Sequence, residues 1–181
     1  MDPTVKAVWG SWHWRPDVLL VVPALGTLYI TGWWCLRRRR PQVARRWQLA
    51  LYLAGLAVIA VALLSPLDPL ASLLLATHMI QHQLLTMVAA PLLLLANPLP
   101  VVLWALPRTL RHRLGRLLTR GTRVRRSVRA LTWMPISWLL YMVVFWGWHL
   151  PSAFQASLGS ELVHNAQHLS FFAAALLYWF P

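Results

Sequence analysis

Histidines recur with an unusual spacing in the apolar parts of this 181-residue chain. His78 and His82 are four residues apart in the stretch HMIQH, and His164 and His168 are four residues apart in HNAQH. Residues i and i+4 of a helix share a face, one turn apart, so each pair points two imidazoles in one direction. A fifth histidine, His149, follows the apolar stretch SWLLYMVVFWGW. Because ionisable side chains are costly in apolar surroundings, these five histidines are the candidate functional residues.

Metal binding is the chemistry that this residue type favours. Imidazole is the commonest metal ligand and suits zinc, copper, iron and nickel. No Asp or Glu is interspersed among the histidines, which disfavours magnesium, calcium and manganese because these metals prefer oxygen ligands. Met79 lies three residues before His82, and a thioether ligand favours Cu(I), although methionine is also a common core filler. The predicted metal site comprises His78, Met79, His82, His149, His164 and His168.

The composition indicates that a membrane surrounds these residues. The chain is 59% hydrophobic, contains 12 Trp and only four acidic residues, and has a formal net charge of +13. Apolar segments of about 20 residues recur, and that length crosses a hydrocarbon core of roughly 30 Å. We therefore predict an all-α polytopic membrane helix bundle that forms a single integral domain over 1–181. The predicted spans are about 17–36, 47–66, 71–96, 132–150 and 161–181.

The basic residues predict the orientation of the bundle. Fifteen of the seventeen Lys and Arg fall in the segments 37–46 and 107–130, so the positive-inside rule places both in the cytoplasm and the N-terminus outside. The third and fifth helices then enter from the outer side, and His149 lies at the outer end of the fourth. All five histidines are thus expected in the outer half of the membrane.

The segment 107–130 has a second expected property. Leucines recur at helical spacing among its arginines, which is typical of a basic amphipathic helix on the inner membrane surface. Anionic lipids are therefore the expected partner of this cytoplasmic segment, and a nucleic acid is not expected.

Three stretches together resemble a known family. They are HMIQHQLLTMVAAPLLLLANP, FWGWHLPSAFQASL and LVHNAQHLSFFAAALLYWFP, which span about 65–181. Their order is similar to that of the CtaG-type assembly factors of bacterial caa-type cytochrome c oxidases, which have an H-M-x-x-H helix, a W-H-x-P segment and an H-x-x-x-H helix ending in W-x-P. The first two apolar segments match only in general character. The family pattern falls on His78, Met79, His82, Trp148, His149, Pro151, His164 and His168.

This resemblance implies a function and a location. It implies a multi-pass protein of the bacterial plasma membrane that assists oxidase assembly without being an enzyme. It also implies that the histidines hold copper, that a periplasmic or extracellular donor supplies it, and that cytochrome c oxidase subunits receive it. Family members typically have seven membrane helices, so two further helices are expected after residue 181.

Two other functions remain open from the residues alone. Three of the histidines could hold zinc with an open water position in an intramembrane hydrolase. Alternatively, histidines on two facing helices could be the axial ligands of a b-type haem.

Overall fold

The chain folds into helices joined by short connections. The structure, a computed structural model, describes residues 12, 14–71, 73–117 and 122–180, and these ranges contain no β-strand. The helices in these ranges are α1 (Pro16–Arg39), α2 (Arg46–Leu64), α3 (Leu67–Ala71), α4 (Leu75–Leu95), α5 (Pro98–Ala105), α6 (Arg108–Leu117), α7 (Arg123–Leu131), α8 (Met134–Trp148), α9 (Pro151–Gly159) and α10 (Glu161–Trp179). The predicted all-α class is confirmed for the described residues.

Several helices have the length and composition of membrane spans. α1, α2 and α4 each meet these requirements, and α7 with α8 makes a fourth candidate that is bent by 67° between the two helices. Large apolar side chains face outward, as shown by Leu20 and Leu162, which are 71% and 80% exposed. Such a surface is stable in lipid and costly in water. The count of five spans and the outer position of the N-terminus remain predictions.

Some connections predicted from the sequence are helical in the structure. The segment 151–160, which connects the predicted spans 132–150 and 161–181 and was therefore expected to be a loop, forms α9, because Pro151 occupies the first turn, where proline is well tolerated. The turn around Asp68 contains the short helix α3. The basic segment 107–130 contains the two helices α6 and α7, and residues 118–121 of that segment lie outside the described ranges.

One buried cluster joins α1, α2, α4 and α5. The ring of Tyr29 stacks on that of Tyr52 with centroids 3.8 Å apart, and its hydroxyl donates a hydrogen bond to the carbonyl of Ala96 at 2.9 Å. Gly32 lets α1 approach α5 so closely that an added Cβ would overlap the carbonyl oxygen of Val101. Small residues at helix contacts permit this approach in membrane proteins.

A second cluster joins α4, α8 and α10. Its buried residues are Ala90 of α4, Tyr141 of α8, and Ala174 and Ala175 of α10. Three of the four are alanines, which bring the helix backbones close together. This contact holds side by side the two helices that carry the histidine pairs.

The close approach at Gly32 yields a stability prediction. Gly32→Ala should lower the free energy of unfolding by about 1–3 kcal/mol, because the added methyl group forces α1 away from α5. Thermal unfolding in detergent measures the effect. Gly26→Ala on the same helix is the matched control, since its added Cβ would lie 3.5 Å from Leu56, an ordinary contact. Equal melting temperatures for the two variants would contradict the close approach.

Candidate metal centre

Two helices present their histidines at the same offsets from their first residues. His78 and His82 are the fourth and eighth residues of α4, and His164 and His168 are the fourth and eighth residues of α10. The first histidine of each pair donates its backbone N–H to the carbonyl just before the helix, at 3.1 Å for His78 and 3.0 Å for His164. Each pair therefore begins in the first turn of its helix.

The four imidazoles of α4 and α10 form one cluster. Ring centroids are 4.4 Å apart for His78 and His82, and 4.3 Å apart for His164 and His168. Between the helices, His78 lies 5.4 Å from His164, and His82 lies 4.9 Å from His168. The first histidines of the two pairs therefore face each other, and so do the second histidines. The two helices therefore run parallel, with both pairs at the same depth.

Half of the eight ring nitrogens in this cluster are buried without a partner in the described ranges. The Nε2 atoms of His78 and His82 are 2.8 Å apart, a hydrogen-bond distance, whereas the Nδ1 atoms of both rings and both ring nitrogens of His168 are buried without a hydrogen-bond partner among the described residues. Unpaired buried polar atoms are costly and are often explained by a functional role or an ion. The donor set is that of a transition metal.

The rings adopt a hydrogen-bonded arrangement in this structure. Two nitrogens bound to a tetrahedral metal at about 2.0 Å each lie roughly 3.3 Å apart, which exceeds the 2.8 Å between His78 and His82. Accordingly, no group of three His, Cys, Asp or Glu side chains in the described ranges is already placed around a metal position. The rings must therefore rotate before three of their nitrogens can reach one ion.

His149 and Met79 were predicted as further ligands. His149 follows α8 and bonds through Nδ1 to the carbonyl of Phe145 at 2.6 Å. The ring of Phe171 is 4.6 Å from that of His82 and 6.4 Å from that of His149, so His149 lies beside the four-histidine cluster with Phe171 close to both. Met79 follows His78 and is half-buried. Ligand roles for both residues remain predictions.

An aromatic wall covers the cluster. Phe171 packs on His82 from within α10, and Phe154 of α9 lies edge-on to His78 with centroids 6.0 Å apart. Phe171 is three residues after His168, so helical spacing could have predicted its place on the same face. No pattern in the sequence indicated Phe154, because its segment was expected to be a loop.

Gln81, which precedes His82, connects α4 to its neighbours. It is fully buried, and its Nε2 donates to the carbonyl of Ala62 at the end of α2 and to the carboxylate of Asp68 on α3, both at 2.8 Å. Gln167, the equivalent residue before His168, is also buried, and the Oε1 atoms of both glutamines lack a partner among the described residues; the backbone carbonyl of Gln167 accepts a hydrogen bond from Ser170 Oγ. The two glutamines look alike in sequence but have different surroundings.

The backbone of α4 changes its hydrogen bonding just after His82. Residues Leu84–Ala89 form a π-helical turn, in which the N–H of Ala90 bonds to the carbonyl of Leu85. Pro91 has no N–H, so the carbonyl of Thr86 has no donor in the following turn. The indole N–H of Trp179 donates to it at 3.0 Å. The far end of α10 is therefore bonded to the turn that follows the histidine pair of α4.

Carboxylates gather at the histidine end of the bundle. Arg15 is buried and pairs with Asp17 through a contact of 2.6 Å. Asp68 and Glu161 lie close enough to act electrostatically on both Arg15 and His164. These three are all the carboxylates in the described part of the chain. The end of the bundle at the histidines is therefore acidic, whereas the arginine-rich segments lie at the opposite ends of α1 and α4.

A comparison with protein families identifies the chain. The family model described as cytochrome c oxidase caa3 assembly factor matches residues 27–181. The chain belongs to this family. No curated protein and no solved structure matches. The match includes residues 27–39 of α1 and all of α2, although these two segments resemble the family only in general character.

The structure explains two further residues of the assembly-factor pattern. Trp148 donates its indole N–H to Ser170 Oγ at 2.7 Å, and that hydroxyl donates to the carbonyl of Gln167 at 2.8 Å. This chain of bonds links α8 to the middle of the second histidine helix. Pro151 begins α9, which carries Phe154 to His78. Both residues thus position the histidine cluster in this assembly factor.

The bond between Trp179 and Thr86 generates a second prediction. Trp179→Phe should lower the stability of the assembly factor by about 0.6–2 kcal/mol, the usual range for an interhelical hydrogen bond in a membrane. Thermal unfolding in detergent again measures the change. Trp138→Phe on α8 is the control, because Trp138 is similarly exposed. If both variants melt at the same temperature, the bond does not support the fold.

Proposed function

We propose that this assembly factor binds copper through its histidine cluster and helps to deliver it to cytochrome c oxidase in the bacterial plasma membrane. The observation that carries the proposal is the meeting of four imidazoles from two parallel helices, with unpartnered nitrogens on His78, His82 and His168. Family membership supports the role in oxidase assembly, and the chemistry of the donors supports the metal.

The arrangement suits a metal that is passed on. A carrier must release its ligands one at a time as the acceptor's ligands replace them. The cluster contains four imidazoles, so the metal can stay bound to some of them while another is released. His149 lies nearby as a further donor. Because imidazole binds Cu(I), whereas hard cations prefer oxygen, the cluster selects copper over magnesium or calcium.

The acidic end of the bundle supports a direction of transfer. Asp68 and Glu161 lie within electrostatic reach of His164 and attract a cation toward it. We propose that an extracytoplasmic donor supplies copper at this end and that an oxidase subunit receives it there. The assembly factor transfers a metal without catalysing a chemical conversion.

Copper titration tests the metal site directly. His78→Ala, His82→Ala, His164→Ala and His168→Ala should each weaken Cu(I) binding by about tenfold or more, since even residues that only support metal ligands contribute 10–100-fold. The measurement is competition with a colorimetric Cu(I) chelator in detergent. His112→Ala, on the exposed face of α6, should leave the affinity unchanged.

Wild-type affinity in all four variants would remove the proposed site. Elemental analysis and an absorption spectrum of the purified protein distinguish copper from the two alternatives, zinc and haem. Stoichiometric zinc together with lipid hydrolysis, or a Soret band, would contradict the copper function. A deletion strain whose oxidase is fully loaded with copper would contradict the delivery role.

The two basic helices fit a second partner, the anionic membrane surface. α7 has no buried residue and carries four arginines, while Val124, Val128 and Leu131 form an exposed apolar stripe along it. The 67° bend before α8 turns α7 away from the direction of the neighbouring span. In α6, Arg111 stacks on Trp104 of α5 at 4.3 Å, and Arg39 of α1 stacks on the same ring at 5.6 Å. We propose that both helices lie on anionic phospholipid headgroups.

This contact can be tested with an environment-sensitive dye. The dye is attached to the Val128→Cys variant, in which Cys35 is also replaced by Ser. In nanodiscs the dye emission should shift to shorter wavelength when phosphatidylglycerol replaces phosphatidylcholine, because each arginine near the surface contributes about 1 kcal/mol. Replacing the four arginines of α7 by Gln should abolish the shift. The control is the same dye on Leu139→Cys, on the exposed face of α8. Equal emission in both lipids from the dye at residue 128 would refute the contact.

A further inference from the structure

His149 differs from the clustered histidines in the hydrogen bond that its ring makes. Its Nδ1 atom lies 2.6 Å from the carbonyl oxygen of Phe145. Because a carbonyl oxygen only accepts, Nδ1 carries the hydrogen, and the lone pair of the neutral ring is on Nε2. Metal-binding histidines commonly donate their second ring nitrogen to a backbone carbonyl in this way. The Nε2 atom of His149 is therefore ready to bind a metal.

The ring of His149 is also held in place. It stacks on the ring of Phe145 with centroids 4.3 Å apart, and the same residue supplies the carbonyl that accepts from Nδ1. In the cluster, by contrast, the Nδ1 atoms of His78 and His82 lack partners in the described ranges, and their Nε2 atoms share a hydrogen bond that copper must replace. Copper binds to His149 Nε2 without displacing a proton.

The cluster is closed to its surroundings, whereas His149 is more open. The exposed fraction is 1% for His78, 7% for His82 and 6% for His168. His149 and His164 are both half-buried. An acceptor therefore meets the copper at one of these two histidines.

The two half-buried histidines lie on different helices and have different surroundings. His164 is on α10, within electrostatic reach of Asp68 and Glu161, and negative charge favours the arrival of a cation. His149 follows the last residue of α8 and lies within electrostatic reach of both histidines of α4. Arrival of copper at His164 leaves His149 for its departure.

One aromatic ring contacts both the cluster and His149. Phe171 is 2% exposed, and its ring centroid is 4.6 Å from that of His82 and 6.4 Å from that of His149. It also lies edge-on to Phe145, the residue that holds His149, at 6.2 Å. A ring packed on all three must turn before copper moves from His82 to His149.

We infer that His149 is the exit ligand of the cluster and that the ring of Phe171 controls the passage to it. The inference rests on the proposed copper function. As Cu(I) leaves, its bond to an imidazole nitrogen of the cluster breaks and a bond to Nε2 of His149 forms, with no change in oxidation state. A ligand of the oxidase then replaces His149.

The direction of a rate change tests the exit ligand. The full chain, loaded with Cu(I) in detergent without oxygen, is mixed with excess bicinchoninate, and copper release is followed by stopped-flow absorbance. Loss of an ordinary ligand weakens binding, so His82→Asn should release copper faster than the wild type. His149→Asn should release it more slowly by about tenfold, a typical effect of losing a residue that supports a metal site. His149→Met, which restores a Cu(I) ligand, should recover most of the rate.

Phe171→Leu tests the passage independently. Loss of the ring, with an apolar side chain retained, should speed release severalfold. The gain should disappear when the substitution is combined with His149→Asn, because the faster passage then leads to no ligand. Phe172→Leu, the same substitution at the next position of α10, is the control and should release copper at the wild-type rate.

The results separate the exit role from the copper function. Faster or unchanged release from His149→Asn overturns the exit role, since His149 is then an ordinary ligand or copper leaves through His164. A gain from Phe171→Leu that persists without His149 also overturns it. Both outcomes leave the copper function intact, whereas absence of Cu(I) binding by the wild type overturns the copper function and the exit role with it.

Discussion

The parallel contact between α4 and α10 is the constraint on which the histidine site depends. Each helix presents two imidazoles near its first turn, and only a parallel arrangement at equal depth brings the four rings together. Buried polar bonds in the same region maintain this register. The bond from Trp179 to Thr86 joins the far end of α10 to α4, and the bond from Trp148 to Ser170 joins α8 to α10. Lipid supplies no replacement partners for these groups, so a shift of one helix would leave them unpaired.

The same constraint explains how the bundle combines an apolar exterior with polar residues inside it. Gln81 bonds two neighbouring elements, and the imidazoles of His78 and His82 bond each other. Nitrogens that remain without partners are concentrated on the histidines. The bonds of Gln81 to neighbouring elements therefore use atoms other than the unpartnered imidazole nitrogens.

Charge is divided between the two ends of the molecule. The described carboxylates gather near the histidines, while the described arginines other than Arg15 lie in the last turn of α1, around the connection from α1 to α2, and in α6 and α7. The arginine distribution suits a membrane orientation, and the acidic end suits capture of a cation. The chain belongs to a family of oxidase assembly factors, and both charged ends are available for the roles proposed above.

The sequence by itself determined the helical class, the apolar membrane-type segments and the shared face within each HxxxH pair, because these follow from composition and from the local 3.6-residue period. Only the tertiary structure decided that α4 lies beside α10, that Phe171 packs near both His82 and His149, and that Gln81 and Gln167 differ. Trp179 and Thr86 are 93 residues apart, and no local pattern encodes such a bond. Neighbouring helices are chosen by the fit of small side chains and by long-range polar bonds, which a one-dimensional periodicity does not contain.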